Sequence, residues 1–274
     1  MSGRPHVSVV IPVYNRGELL KRALRSVFEQ SYGDWEAIVI DDGSTDQTGG
    51  SAAGFSDPRL RVLRHPSRRG PAAARNTGIA ESRGRIITFL DSDDEWLPGK
   101  LARQVEVFHQ GPAEVGVVYT ATRRLFKGQE YLIPPASAGR KEGDLFGPIL
   151  RGAYLVSTPA AAVKKECLDA AGLFDETLPA LEEWDLFLRL AKVCRFGYIP
   201  EALTVSHYTP GSVSADRLLF ARAKGMILRK HWKEFFQSPR ALAAVLGGIA
   251  RLHAGRALAA IRDKGRGRGE GAAP

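Results

Sequence analysis

Asp91-Ser92-Asp93-Asp94 follows a short β-branched run and carries the sharpest chemical signal in the chain. Two carboxylates one residue apart at a strand end can hold a hard divalent cation through oxygen. Mg2+ or Mn2+ held this way keeps positions open for phosphate oxygens. The plainer reading is a cap for the helix beginning near Pro98, but capping takes one acid, and adjacent like charges repel. Asp41-Asp42-Gly43-Ser44 is a second acid pair. A carboxylate there can accept from a ribose hydroxyl or a base N–H, and the same residues make an ordinary turn. Glu182-Glu183-Trp184-Asp185 opens a helix. Acids in a first turn suit the helix dipole; the alternative is a general base aimed into a crevice, beside a Trp able to stack on a sugar ring. Arg75, with Asn76 and Gly78, can reach a phosphate or a base, or is a surface cation on a helix. His207 follows the last strand and is a structural residue or, as the minority reading, a third metal ligand.

The elements that must position these groups alternate. Residues 7–11 read as a buried strand closed by Pro12, with Asn15 placed to cap a helix whose Leu20, Leu24 and Val27 recur at helical spacing. Residues 35–40, 60–63 and 85–90 read as further strands, with a helix around 72–82 between the last two and another after Pro98. The pattern predicts a mostly parallel, layered α/β sheet. Polar clusters follow the strands ending at Ile11, Ile40 and Leu90, and open α/β sheets bind ligands at that carboxyl edge. A fifth strand is expected at 115–119, a long excursion at 127–153, short helices at 164–171 and 184–191, and a last strand at 195–199. After Ser212 the texture turns helical, which predicts a main domain at 1–212 and a basic helical extension at 213–274.

Charge is uneven. The net formal charge is +9, yet residues 1–216 hold 26 Lys and Arg against 27 Asp and Glu, whereas residues 217–274 hold 13 against 3. A basic extension implies an anionic partner. In it, Ser238 and Pro239 read as a helix cap and first position, and Leu242, Val245, Leu246, Ile249 and Leu252 share one face. This is either an interfacial helix beside an anionic membrane or a helix packed on the protein. Cys167 and Cys194 have no metal or redox spacing and read as small hydrophobes in a reducing compartment. No run of about 20 apolar residues is present, and the expected location is cytoplasmic, possible membrane contact being peripheral. A dinucleotide oxidoreductase is excluded because Pro12-Val-Tyr-Asn15 stands where its Gly-rich turn is needed. A nucleic-acid binder lacks the aromatic interleaving and any recognisable module.

Val9-Val-Ile-Pro-Val-Tyr-Asn15, Asp41-Asp-Gly-Ser-Thr-Asp46, Ala74-Arg-Asn-Thr-Gly78, Phe89-Leu-Asp-Ser-Asp-Asp94, Gly172-Leu-Phe-Asp-Glu176 and Glu182-Glu-Trp-Asp-Leu-Phe-Leu-Arg189 occur in one order over roughly residues 6–215. Together they resemble the family-2 group of inverting glycosyltransferases. The resemblance implies the GT-A fold, with a Rossmann-like, mostly parallel sheet flanked by helices. It implies transfer of a sugar from a nucleotide-diphosphate sugar, a UDP-sugar being the expected donor, to a hydroxyl of a glycan or lipid-linked acceptor. The expected setting is bacterial cell-surface polysaccharide or glycolipid synthesis. Pro12, Tyr14 and Asn15 would line the nucleotide pocket, Asp42 would read base or ribose with Asp41 supporting it, and Arg75, Asp91 and Ser92 would face the nucleotide. Asp91 and Asp93 would bracket Mn2+ or Mg2+, with Asp94 close by. Glu183 stands where the family has its Asp base, and Asp185 is the second candidate. That departure leaves room for a catalytically silent sugar-nucleotide or glycan-binding module on the same fold. The 127–153 excursion would shape the acceptor site.

Overall fold

A computed structural model describes residues 5–152, 155–209 and 216–266. Nine strands form one mixed sheet: β1 Val7–Val13, β2 Trp35–Asp41, β3 Leu60–Arg64, β4 Ile86–Phe89, β5 Glu95–Trp96, β6 Val115–Phe126, β7 Gln129–Ile133, β8 Ala161–Lys164 and β9 Arg195–His207. Their order is β3-β2-β1-β4-β8-β6-β9-β5, with β7 paired to β6. β1 to β4 are parallel neighbours; β8 runs against both β4 and β6, and β9 runs parallel to β6. The helices are α1 Gly17–Phe28, α2 Thr48–Ser51, α3 Pro71–Glu81, α4 Lys100–Gln110, α5 Phe146–Leu150, α6 Lys165–Ala171, α7 Glu182–Val193, α8 Arg217–Lys230, α9 Trp232–Phe236 and α10 Pro239–Arg266.

The central strands are apolar on both faces because both faces are covered. Val7, Val9, Ile11 and Val13 of β1 pack with Leu20, Leu24 and Val27 of α1 and with Leu101 and Val105 of α4. Ile38 and Ile40 of β2 pack with Ala74 of α3. α3 also lies close on β1: a Cβ at Gly78 would fall 2.2 Å from Val10 Cγ1.

The expected strands and helices of the first half are all present. α1, however, has Arg16 at its N-cap with no side-chain cap; Asn15 is bonded elsewhere. β5, β7 and β8 are additions, and β6 and β9 run well past their expected ends at 119 and 199. The polar stretch Thr120-Ala-Thr-Arg-Arg124 lies beyond the apolar run that ends at Tyr119, yet it is held in the ladder by β9, with β7 pairing on the other side from Thr122 onward. Cys167 and Cys194 are half-buried rather than core residues, and lie together over Gly116, whose absent Cβ would meet their sulfurs at 2.3 and 2.8 Å.

The 127–153 excursion does two separate things. Thr88 pairs with Ala162, and Ala162 with Val118, so Thr122 to Phe126 and the paired β7 extend beyond the carboxyl end of β4. Residues 138–143 instead lie at the opposite sheet edge, where Gly143 bridges to Phe196. An open cavity of about 1100 Å3 there is lined by Arg140, Lys141, Arg195 and Tyr198 among others. Of these two parts, β7 is the one on the side of the acid turns.

The chain divides into two compact units: residues 1–149, 153–176 and 182–209, and residues 150–152, 177–181 and 210–274. In the second, Asp216 caps α8 by accepting from Leu218 N and Leu219 N at 2.8 and 3.2 Å. α10 packs on α8 and α9, with Ala223, Ile227, Phe235, Ala241 and Val245 buried. Of the apolar face named from the sequence, Val245 is buried against neighbouring helices, Leu242, Ile249 and Leu252 are half-buried, and Leu246 is 49% exposed. The expected division at 212/213 and the tail beyond 266 lie outside the described residues.

Candidate active site

The loops after β1 and β2 are laced together. Asn15, at φ 50°, donates its backbone N–H to Ser44 Oγ at 3.0 Å, and its side chain accepts from Thr45 N at 2.8 Å. Arg16 N donates to Thr48 Oγ1 at 2.9 Å. Gly43 closes the turn at φ 73°, where a Cβ would fall 2.7 Å from the Ser67 backbone, so both conformation and space call for glycine.

Asp41 and Asp42 are buried, and both act first as anchors. Asp41 accepts from Ser44 N at 2.9 Å and from Arg64 at 3.1 Å. Asp42 accepts from Arg69 N at 2.9 Å and Gly70 N at 2.7 Å, and its Oδ1 lies 2.7 Å from His65 Nδ1. His65 Nε2 in turn contacts Thr77 Oγ1 at 3.0 Å. The acid pair therefore shapes the 65–70 loop, which presents Arg68 over the half-buried Tyr14 ring at 4.3 Å. Pro12 is buried in the β1 ladder.

The turn after β4 turns its acids to different tasks. Asp91 Oδ1 meets Arg75 at 2.7 Å, and Asp93 Oδ2 meets Arg16 at 2.7 Å; Arg22 donates to the Asp93 carbonyl. Asp94 points inward and accepts from His207 N at 3.0 Å and from the Ser206 side chain. Burial, and then the charges of Asp91 and Asp93, hold its carboxyl well above the usual range. His207 is tied to this turn by its backbone, whereas its ring Nε2 lies 2.7 Å from Glu95 Oε1; ligating a metal would mean leaving that partner. Ser92 is buried. Among the described residues no three His, Cys, Asp or Glu side chains make a ready cage for a metal. Asp91 and Asp93 nonetheless fit a hard cation: their side chains keep 30% and 12% of their surface exposed, and each has a second oxygen besides the one its arginine takes.

Arg75 is the link to α7. It is 6% exposed and bridges Asp91 to Glu182 Oε1, the latter at 2.8 Å. Burial opposes its charge, but Asp91 and Glu182 outweigh that and hold the guanidinium more firmly protonated. It is a buried bridge, reaching the edge of the crevice only through Asp91. Next to Glu182, the half-buried Glu183 is pushed up to about 8 by burial and by the Glu182 charge, against the pull of Arg75.

The rest of α7 is structural. Trp184, read from sequence as able to stack on a sugar, is 7% exposed and donates Nε1–H to Ile149 O at 2.7 Å. Asp185 is fully buried and holds Arg189 at 2.8 and 2.9 Å. Arg189 also donates to the carbonyls of Ala171, Gly172 and Leu173. Asn76 grips the same segment, accepting from Phe174 N at 3.0 Å and donating to Phe174 O at 2.9 Å. Two motifs far apart in sequence are thus one clamp. Arg16, Arg22, His65, Arg68 and the Asn76 clamp were not singled out from sequence. Only Asn76 carried a signal, by lying in the same motif as Arg75.

The model of glycosyl transferase family 2 matches residues 8–150. WcaA of Escherichia coli K12, assigned to colanic acid biosynthesis as a glycosyl transferase, is 29% identical over 221 residues, covering 78% of this chain and 76% of that protein. WfgD of Escherichia coli, a UDP-Glc:alpha-D-GlcNAc-diphosphoundecaprenol beta-1,3-glucosyltransferase, is 41% identical over 101 residues, covering 37% of this chain and 40% of that one. Staphylococcus aureus TarS 1–349, solved with UDP-GlcNAc, superposes with TM-score 0.69 at 21% identity, over 81% of this chain and 65% of that one. The mannosyltransferase PcManGT of Pyrobaculum calidifontis, solved with GDP-Man and Mn2+, gives 0.66 at 23% identity, over 97% and 81%. The sheet order and these neighbours agree on the GT-A fold.

Proposed function

Because this chain belongs to glycosyl transferase family 2, we propose that it moves a sugar from a UDP-sugar to an acceptor hydroxyl, inverting the anomeric centre, in the building of a bacterial cell-surface polysaccharide or glycolipid. The observation that carries this reading is the bridge Asp91–Arg75–Glu182. It ties the acid turn after β4 to the first turn of α7, so that phosphate-side acids and a candidate base share one edge of the sheet.

Tyr14 and Arg68 flank the base and ribose, and Asp41 and Asp42 hold the loops that place them. Asp91 and Asp93 are the residues to hold Mn2+ or Mg2+, with Asp94 fixing their turn to β9. When bound, the cation supplies positive charge against the leaving diphosphate. Glu183 accepts the proton of the acceptor hydroxyl as that oxygen bonds to the anomeric carbon from the face opposite the departing diphosphate. A carboxylate pushed up to about 8 is a stronger base than an ordinary one and still ionises near neutral pH. The longer Glu also reaches one methylene further than the family's Asp. Asp185 is spent on Arg189 and on the segment that Arg189 holds.

Calorimetric titration with UDP, GDP and dTDP, with and without Mn2+, tests the reading, followed by transfer assays with the sugar form of whichever nucleotide binds. Metal-dependent binding of UDP and turnover of a UDP-sugar are expected. A folded sample that binds no nucleotide in the presence of Mn2+ would overturn the reading, and binding without turnover of any donor would point to the silent module.

A further inference from the structure

The second unit carries an exposed aromatic pair that its own packing leaves uncovered. α9 is anchored by Phe235, which is fully buried, while Trp232 and Phe236 are 57% and 75% exposed. Residues four apart share a helix face, so both belong to one exposed face of α9. Cations surround them: Arg229, Lys230, Lys233 and Arg240 are all exposed, and Lys233 Nζ lies 5.9 Å from the Trp232 ring centre. Residues 229–240 contain one acid, Glu234. No helix among the described residues is long and apolar enough to cross a membrane.

We infer that Trp232 and Phe236 insert into the headgroup region of an anionic lipid surface while Arg229, Lys230, Lys233 and Arg240 hold its charge. The amphipathic ring of tryptophan partitions to that depth and the apolar ring of phenylalanine inserts beside it, while lysine and arginine stems reach from there to the headgroups. Each cation near an anionic surface strengthens partitioning by about fivefold. A second copy of the chain is a poor occupant, because pairing on this patch would set one cationic surface against another. Protein interfaces are also depleted of lysine at their cores. The inference rests on this unit alone and stands whether or not the chain transfers sugar. It places the contact on α9, where the two exposed aromatic rings are.

Tryptophan emission tests this directly. Trp35, Trp96 and Trp184 are 2%, 2% and 7% exposed, so Trp232 is the tryptophan whose surroundings a surface can change. Full-length protein is titrated with phosphatidylcholine vesicles with and without half phosphatidylglycerol. The expected result is a blue shift and co-sedimentation with the anionic vesicles only, weakened by 0.5 M salt as screening requires. W232S/F236S should bind at least tenfold more weakly while keeping its thermal melt and its turnover of a soluble acceptor. Absence of a shift, or equal sedimentation of W232S/F236S, overturns the inference; the latter would assign binding to the basic tail. So does a dimer in light scattering that F236S dissociates, or a shift produced by RNA and not by vesicles.

Discussion

Replacing Glu183 by Gln should remove most of the turnover and, at alkaline pH, stabilise the fold. The carboxyl's rise from an ordinary 4.5 to about 8 corresponds, at 1.36 kcal/mol per unit, to a ceiling of roughly 5 kcal/mol. Because Glu183 is only half-buried, a few kcal/mol is the fair order of magnitude. The sign follows from which state releases the proton first. Below about pH 4.5 both folded and unfolded chains hold it, and the stabilising effect is complete. Between 4.5 and 8 the unfolded chain gives it up while the folded one keeps it, so stability falls; above 8 the loss is complete. Gln keeps the shape and never charges. E183Q and wild type should therefore melt together at pH 4, and E183Q should melt roughly 5–10 °C higher at pH 9. Turnover should fall by about 10²-fold or more because the proton acceptor is gone. The pair of readouts is melting by circular dichroism at the two pH values and transfer to a saturating acceptor. An E183Q that melts no higher at pH 9 would show that Glu183 ionises freely in the fold, and turnover within tenfold of wild type would move the base to Asp185.

Three further changes probe the same framework. Glu182→Gln keeps an oxygen for Arg75 but removes the charge beside Glu183, so the rising limb of kcat/KM against pH should move down by about one unit; an unmoved midpoint would leave burial and the Asp91 charge as the causes. Asp93→Asn should abolish transfer and metal-dependent nucleotide binding with melting little changed, and near-wild-type turnover would dismiss Asp93 as a ligand. Gly78→Ala drives a Cβ onto Val10 Cγ1 and should cost about 1–3 kcal/mol in denaturant titration. Val10→Ala in the same chain should recover part of that loss, and no recovery would mean the strain lies elsewhere.

Periodicity carried the first half of the fold because β1, β2 and β4 are buried on both faces and read as near-continuous apolar runs, broken by Ser8, Glu36 and Thr88. It failed past Tyr119, where Arg123 and Arg124 sit in a strand only because β7 and β9 flank it. β5 is two residues long and has no period to read. At the site, the acid turns were legible as clusters, but their partners were not. Arg16 reaches Asp93 and Arg75 reaches Glu182 across 77 and 107 positions, and no local pattern encodes such pairings. The same limit left Trp184 readable as a ring able to stack on a sugar and Asp185 as a second candidate base. Spacing puts both on the first turn of α7, while burial and Arg189 decide that neither faces outward.

The arrangement of charge at the carboxyl edge follows from having more acids there than fixed cations to balance them. Asp91 and Glu182 are paired through one guanidinium, that of Arg75, and Asp93 is paired with Arg16. Asp94 and Glu183 are left to relieve the excess by holding protons, which is the direction in which both carboxyls are pushed. A further arginine would have quieted the edge at the cost of its chemistry: paired beside Glu183, it would lower the carboxyl's basicity and occupy the place of an acceptor hydroxyl. The unbalanced edge keeps Asp91 and Asp93 attractive to a cation and Glu183 attractive to a proton. The same excess of negative charge makes both properties, so charge removed at Glu182 should be felt at Glu183 although no bond joins the two side chains.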